Sequence, residues 1–387
     1  MTFWIRRTIG VLALGVLQTA CDSPTAPRSA VGIAGLTAGG EHNCVVTDSG
    51  SIWCWGRGTE GQLGNFNTLD SSEPVRVAGA ASYVQVDAGR RHTCAVKVAG
   101  AANCWGWGFY GQLGDGTTST YTGATAVVSA DRYVQVSAGG NHTCAITEAA
   151  AIHCWGDNSQ GQLGDSTYTS RLEPAVVAST ETFAAVSAGM SHTCAMSVAG
   201  ELFCWGLNHL GQLGTGTLVG APSPVRVETT LRFRSISAGM SHTCAVSTDG
   251  AAYCWGSNVY GELGNAGRAE AGMTGSPWPD PTRLGYTFET VSAGEWFTCG
   301  AVSGGPGRCW GRGLEGQLGN AQPLNTTVPL STFDGVSITF IAAGLRHACA
   351  LGPGDEVHCW GDGTRGQLGR PRGNTSLTPS RVNIPRD

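Results

Sequence analysis

The amino-acid sequence predicts an all-β protein, a seven-bladed β-propeller of four-stranded antiparallel blades with its ring closed by the N- and C-terminal strands. Three observations point there. The string Ala-Gly-x-x-His-x-Cys begins at Ala38, Ala88, Ala138, Ala188, Ala238, Ala293 (with Phe297 in place of His) and Ala343, a period of fifty residues with one interval of fifty-five. Such a period signals stacked units, each too small to bury its own core. Each copy continues to Cys-Trp-Gly and, after four variable residues, to Gly-Gln-Leu-Gly, with Glu262 once in place of Gln. The composition, with 59 Gly and only 13% charged residues, suits short strands and tight turns, and no helical period appears anywhere in the repeat.

In chain order, Arg6 and Arg7 precede an apolar stretch from Ile9 to Leu17, and Ala20 precedes Cys21. Residues 1–20 therefore read as a secretory signal, too short to span a bilayer as a helix. Cys21 resembles the processing site of bacterial lipoproteins, where the cysteine is acylated and becomes the new N-terminus. Gln18 stands where that site usually has Leu. An ordinary cleaved signal with an incidental cysteine is the alternative. Residues 21–32, rich in Ser, Pro, Thr and Ala, follow as a lipidated cysteine and flexible tether. Residues 33–387 form the propeller.

Each unit reads as four strands, typified by residues 133–137 (A), 143–147 (B), 152–155 (C) and 175–177 (D). A three-residue loop joins B to C, Asp48-Ser49-Gly50 in the first copy, and Gly supplies the left-handed conformation its third place requires. Gly100, Gly200, Gly250 and Gly305 fill that place again, whereas Ala150 and Asp355 depart, so those two turns are expected to differ. The last copy ends on a D strand at 379–384 with no A strand after it. Residues 31–37 can supply one and close the ring, removing exposed edges.

Beyond Cys21, the cysteines fall into pairs ten apart: Cys44 and Cys54, Cys94 and Cys104, Cys144 and Cys154, Cys194 and Cys204, Cys244 and Cys254, Cys299 and Cys309, Cys349 and Cys359. Counting outwards from the loop sets Cys44 opposite Cys54, a separation a disulfide closes at a non-hydrogen-bonded rung. An exported chain meets an oxidising compartment, which favours one disulfide per blade. Metal binding and plain core packing are the competing readings, the first lacking the tight Cys-x-x-Cys spacing of zinc sites. His42, His92, His142, His192, His242 and His347 share one repeat position and fit a blade-to-blade hydrogen bond. The Trp of Cys-Trp-Gly and the Leu of Gly-Gln-Leu-Gly fit packing between blades.

Seven copies of Cys-Trp-Gly with Gly-Gln-Leu-Gly, over residues 33–387, resemble the regulator-of-chromosome-condensation repeat family. The resemblance implies a seven-bladed propeller. For activity it implies less, because nuclear members exchange nucleotide on a small GTPase while a secreted bacterial member inhibits an extracellular β-lactamase. The export signal sides with the second kind.

Specificity then has to lie where the copies differ. Strand alternation sends the A–B and C–D connections to one face, and their variable positions hold Trp107, Phe109, Tyr110, Leu207, His209, Leu210, Val259, Tyr260 and Trp296. The five-residue insertion, within 265–281, is read as a C–D connection bringing Trp278 to the same face. Exposed aromatics gathered on one face suggest a protein or glycan contact surface, although some could merely cover blade ends. The expected protein is a monomeric, non-enzymatic scaffold in the cell envelope, held to the membrane through its lipid and binding a protein or surface polymer outside the cytoplasm. No cofactor, metal or nucleic-acid partner is expected: the formal net charge is −5 and the basic residues are scattered. The rival readings are a polysaccharide-acting enzyme with a central-pocket site, drawing on Glu41, Glu60, Asp157, Glu295, Glu315 and Asp362, and a nucleotide-exchange regulator.

Overall fold

The computed structural model describes residues 32–79, 81–266, 275–282, 285–332, 336–371, 373 and 375–385. The signal segment, Cys21 and nearly all of the tether lie outside the described residues. In blade one the strands run Ile33–Ala38 (A), His42–Thr47 (B), Ile52–Gly56 (C) and Ser71–Arg76 (D), in sheet order A-B-C-D with every neighbour antiparallel. The same order recurs in seven separate four-stranded sheets, ending with Phe340–Ala343, His347–Leu351, Val357–Gly361 and Ser376–Val382 in blade seven.

Register within a blade follows from the short B–C loop. The amide of Thr47 donates to the carbonyl of Ser51 at 2.9 Å, so alternate rungs outwards are non-hydrogen-bonded, and Cys44 meets Cys54 directly on one of them. All seven Cys pairs stand opposed in this way and joined as disulfides, with Cα–Cα 4.1 Å. The Ala150 turn does not differ after all: Ala150 takes a φ of 62° itself and donates to Thr147 as Gly50 does. The turn at Asp355 does differ, becoming a 3-10 turn over Pro353–Asp355 in which Gly354 is also left-handed. In copy six Gly304, not Gly305, carries the positive φ.

The core lies between blades. Cys44, Val46, Ile52, Cys54 and Leu63 of blade one pack with Tyr83, Val86, Ala95 and Trp105 of blade two, and equivalent clusters repeat round the ring. Two glycines of the repeat are dictated by close approaches, one within the blade and one to the next blade. Gly56 has a φ of 105°, and a Cβ there would lie 2.4 Å from the Glu41 carbonyl. Gly64, with a φ of 69°, lets the Trp105 indole approach so closely that a Cβ would stand 2.7 Å from its Nε1.

Polar groups also join neighbouring blades. His42 Nε2 lies 2.8 Å from Thr93 Oγ1, whose hydroxyl donates to the Gln62 carbonyl at 2.8 Å, and Trp105 Nε1 donates to that same carbonyl at 2.9 Å. Because the threonine proton is committed to the carbonyl, the imidazole must donate from Nε2, which leaves Nδ1 bare. His92, His142, His192 and His242 repeat the arrangement with Thr143, Thr193, Thr243 and Thr298. The histidines thus make the blade-to-blade bond read from the sequence. Nearer the axis, side-chain oxygens of Thr37, Asp87, Ser137, Ser187, Ser237 and Ser292 accept the amides of Ala88, Ala138, Ala188, Ala238, Ala293 and Ala343 in the next blade.

Two junctions depart from the pattern. Between blades six and seven Phe297 replaces His, and Ala348 replaces the Thr it would have bonded; the two pack with Leu318 and Trp360 in an apolar cluster. Between blades seven and one the ring closes, but not by a shared sheet. The first strand pairs within blade one and the last within blade seven, so the terminal strands close the ring by packing rather than by hydrogen bonds to each other. Ile33, Leu36 and Trp55 instead pack against Leu351, Val357, Leu368 and Val382. Asn43 takes the place of Thr there, accepting from His347 Nε2 at 2.8 Å and donating to the Gln367 carbonyl at 2.7 Å. Complete blades meeting face to face already satisfy the junction's apolar surface and polar groups, so no strand needs to be exchanged.

Candidate functional site

The A–B and C–D connections leave one face, and there the repeated residues give way to variable ones. In blades five and six Tyr260 and Trp296 meet edge to face with ring centroids 5.8 Å apart, and the Arg312 guanidinium lies 5.6 Å from the Tyr260 ring. Arg312 is held in turn by Glu315. In blade two Trp107, Phe109 and Tyr110 form a chain, with centroids 6.0 and 5.3 Å apart, and Arg91 lies 5.6 Å from the Trp107 ring. Phe109 is 62% exposed and Val259 52%.

Leu207 and Leu210 are half-buried in the C–D turn of blade four, and His209 beside them is exposed. Met190 and Met240, half-buried in the A–B turns of blades four and five, occupy the first variable position after Ala-Gly, one place before the position of Trp296, and extend its apolar sector. Sequence reasoning named neither. Their shared repeat position was the signal that could have found them, and it also marks Arg90.

Trp278 requires a correction. It sits within strand D of blade five, Gly275–Pro281, the outermost strand, and not in a connection. Its indole lies against the C–D loop of blade four, where a Cβ on Gly216 would stand 2.9 Å from Nε1. The insertion precedes this strand, in a stretch of which 267–274 lies outside the described residues. Trp278 is therefore a rim residue, 48% exposed, on the outermost strand.

The acidic residues of the face are largely engaged. Arg57 bridges Glu41 and Glu60, both at 2.7 Å; burial opposes its charge, and the two carboxylates outweigh that and raise its pKa. Glu295 faces Arg346 at 3.6 Å, Asp157 accepts from Gln162 Nε2 at 3.0 Å, and Asp362 accepts the Thr364 amide at 2.9 Å. Beneath Tyr260, the buried Glu262 carboxyl accepts from the Ser257 hydroxyl and, at 2.7 Å, from the Tyr260 amide, and burial raises its pKa. Among the described residues no group of three His, Cys, Asp or Glu side chains could hold a metal ion.

Several solved structures share the architecture. Prp20p of Saccharomyces cerevisiae, described with its binding to Gsp1p and histones, is 23% identical, with 83% of this chain and 82% of that chain covered and a TM-score of 0.74. Human WBSCR16 is 21% identical, covering 87% of this chain and 95% of its own, with a TM-score of 0.78. The ectodomain of the Physcomitrella patens receptor kinase CR4 is 19% identical, with 86% and 74% covered and a TM-score of 0.57. At these identities the likeness concerns the fold. A comparison with curated protein sequences gave no match. The RCC1-like domain model matches residues 8–283, and models of the regulator of chromosome condensation (RCC1) repeat match 309–351, 338–367 and 355–387. Seven blades built on one repeat, with these matches along the chain, show that it belongs to the RCC1-like domain family.

Proposed function

We propose that this propeller is an exported, lipid-anchored scaffold that binds a partner protein or surface polymer outside the cytoplasm through its A–B/C–D face. In this reading residues 1–20 direct export, Cys21 carries the lipid, residues 21–32 are the tether and 33–387 do the binding as a monomer. One observation carries it. The repeated His, Thr, Trp and Gln are engaged between blades, while the unrepeated Tyr260, Trp296, Leu207 and Leu210 remain at the surface of one face. Aromatic residues at the centre of a contact typically account for about 2 kcal/mol or more each when truncated. The seven disulfides support an oxidising compartment. Prp20p, which binds proteins, supports a binding role on this fold.

The test is capture of a partner from envelope extract by the mature chain. Tyr260→Ala with Trp296→Ala should abolish capture and leave the melting temperature nearly unchanged. Substituting Asp249 or Glu148, in B–C turns on the opposite face, should have no effect. Capture lost in the turn variants and kept in the aromatic ones would place the contact on the other face.

A further inference from the structure

Blade two differs from the other six in both of its variable connections. Its A–B turn is Arg90-Arg91, and its C–D turn holds Trp107, Phe109 and Tyr110. The other arginines at these positions of the face all have carboxylates: Arg57 has Glu41 and Glu60, Arg312 has Glu315, Arg346 has Glu295 and Arg365 has Asp70 at 3.6 Å. Among the described residues neither Arg90 nor Arg91 has a carboxylate at ion-pair distance. Arg91 leans over Trp107, and Arg90 is exposed.

The neighbouring turns keep this corner open. Gly40 in blade one and Gly140 in blade three hold the position equivalent to Arg90, and the turns pack so closely that a Cβ on Gly40 would lie 2.3 Å from the Arg90 carbonyl. Neither neighbouring turn carries a side chain at that position. Beyond Trp107 in the aromatic row, Phe109 and Tyr110 are 62% and 40% exposed. Two unmatched guanidiniums beside a standing aromatic row suit a ligand with a carboxylate for bidentate hydrogen bonds and an apolar side chain for the rings.

We propose that blade two docks a short acidic peptide segment of a partner protein, its carboxylates on Arg90 and Arg91 and its apolar side chains against Trp107, Phe109 and Tyr110. A long polyanion fits less well, because it would run on to Glu41 and Glu60 of blade one and meets a chain of net charge −5. The proposal rests on the reading of this face as the contact surface.

The probe is a fluorescein-labelled peptide Asp-Leu-Asp-Phe-Glu-Leu, followed by anisotropy against the mature chain. Saturable binding is expected, weakening as salt rises. Arg90→Glu with Arg91→Glu, and separately Phe109→Ala with Tyr110→Ala, should each weaken it at least about tenfold. Asp249→Ala should bind as wild type. No saturable binding, equal binding of a peptide with Lys for every acid, wild-type affinity in both double variants, or tighter binding of a single-stranded oligonucleotide or hyaluronate would each overturn the site. If the wild-type chain captures an envelope partner and ignores the peptide, this site alone fails. If it binds the peptide and captures nothing, the earlier reading fails alone.

Discussion

Lowering the pH from 7 to 5 should strongly destabilise this propeller, and the histidines set the size of the effect. All six are fully buried, each donates from Nε2, and each leaves Nδ1 with no partner. Burial lowers the pKa of His42, His92, His142, His192 and His242 from 6.5 to about 3, and of His347 to about 4. A histidine with a depressed folded pKa supports the fold above its unfolded pKa, and that support is lost as the pH falls towards the folded value. At pH 5 the unfolded chain has taken up all six protons and the folded chain essentially none. At about 1.4 kcal/mol per pKa unit this is about 2 kcal/mol per histidine, or about 12 kcal/mol in all. That is comparable to the whole stability of an ordinary domain, about 5–15 kcal/mol. Asp87 and Glu262 act in the opposite sense, since burial raises their pKa and acid relieves the penalty on their ionised forms. Guanidinium denaturation followed by tryptophan fluorescence, with disulfides intact, would give the unfolding free energy from pH 8 to 5. The junction between blades six and seven supplies the control: His192→Phe with Thr243→Ala copies Phe297 and Ala348, and should reduce proton uptake on unfolding by one. A free energy that changes by less than about 3 kcal/mol between pH 7 and 5 would refute the reasoning, because the buried imidazoles would then be accepting protons without unfolding.

The same junction predicts a coupled pair. Phe297→His alone should destabilise by about 1–3 kcal/mol, because Ala348 offers its Nε2 proton no acceptor, and adding Ala348→Thr should recover most of the loss in a denaturation double-mutant cycle. Deleting residues 377–387 removes most of the last strand and Val382 from the closing cluster, so its melting temperature should fall far below that of a chain trimmed of residues 22–29. Cys21→Ser should move the protein from the membrane to the soluble periplasmic fraction of a bacterial host, and equal solubility of both forms would rule out the lipid.

Much of this molecule was legible because the repeat makes its own alignment. Strand order, B–C register and the opposition of Cys44 and Cys54 depend on neighbours within about a dozen residues, where loop length alone dictates which residues meet. The blade-to-blade role of the histidines was legible too, since a position repeated round a ring must serve the ring. The candidate face follows from strand alternation, and it holds Tyr260 and Trp296, whose rings touch. Their contact was not legible, because it spans two blades and depends on how far one is rotated against the next.

The same limit accounts for the misreadings. Trp278 follows the insertion in sequence, and only the pairing of Gly256 with Ser276 shows that the extra residues come before strand D and leave the Trp on the outer edge. The closure of the ring by its terminal strands was legible from the chain ends, but the bond from Asn43 to the Gln367 carbonyl that joins blades one and seven was not. Phe297 and Ala348 belong to different copies, and only the ring sets one against the other. The sequence by itself determined the seven blades, their strands and the face on which they vary, because those follow from local pairing and period. Only the tertiary structure decided which side chains of different blades share a bond, a cluster or a patch, because closing a ring of seven brings residues about fifty apart into contact at angles that no strand pattern encodes.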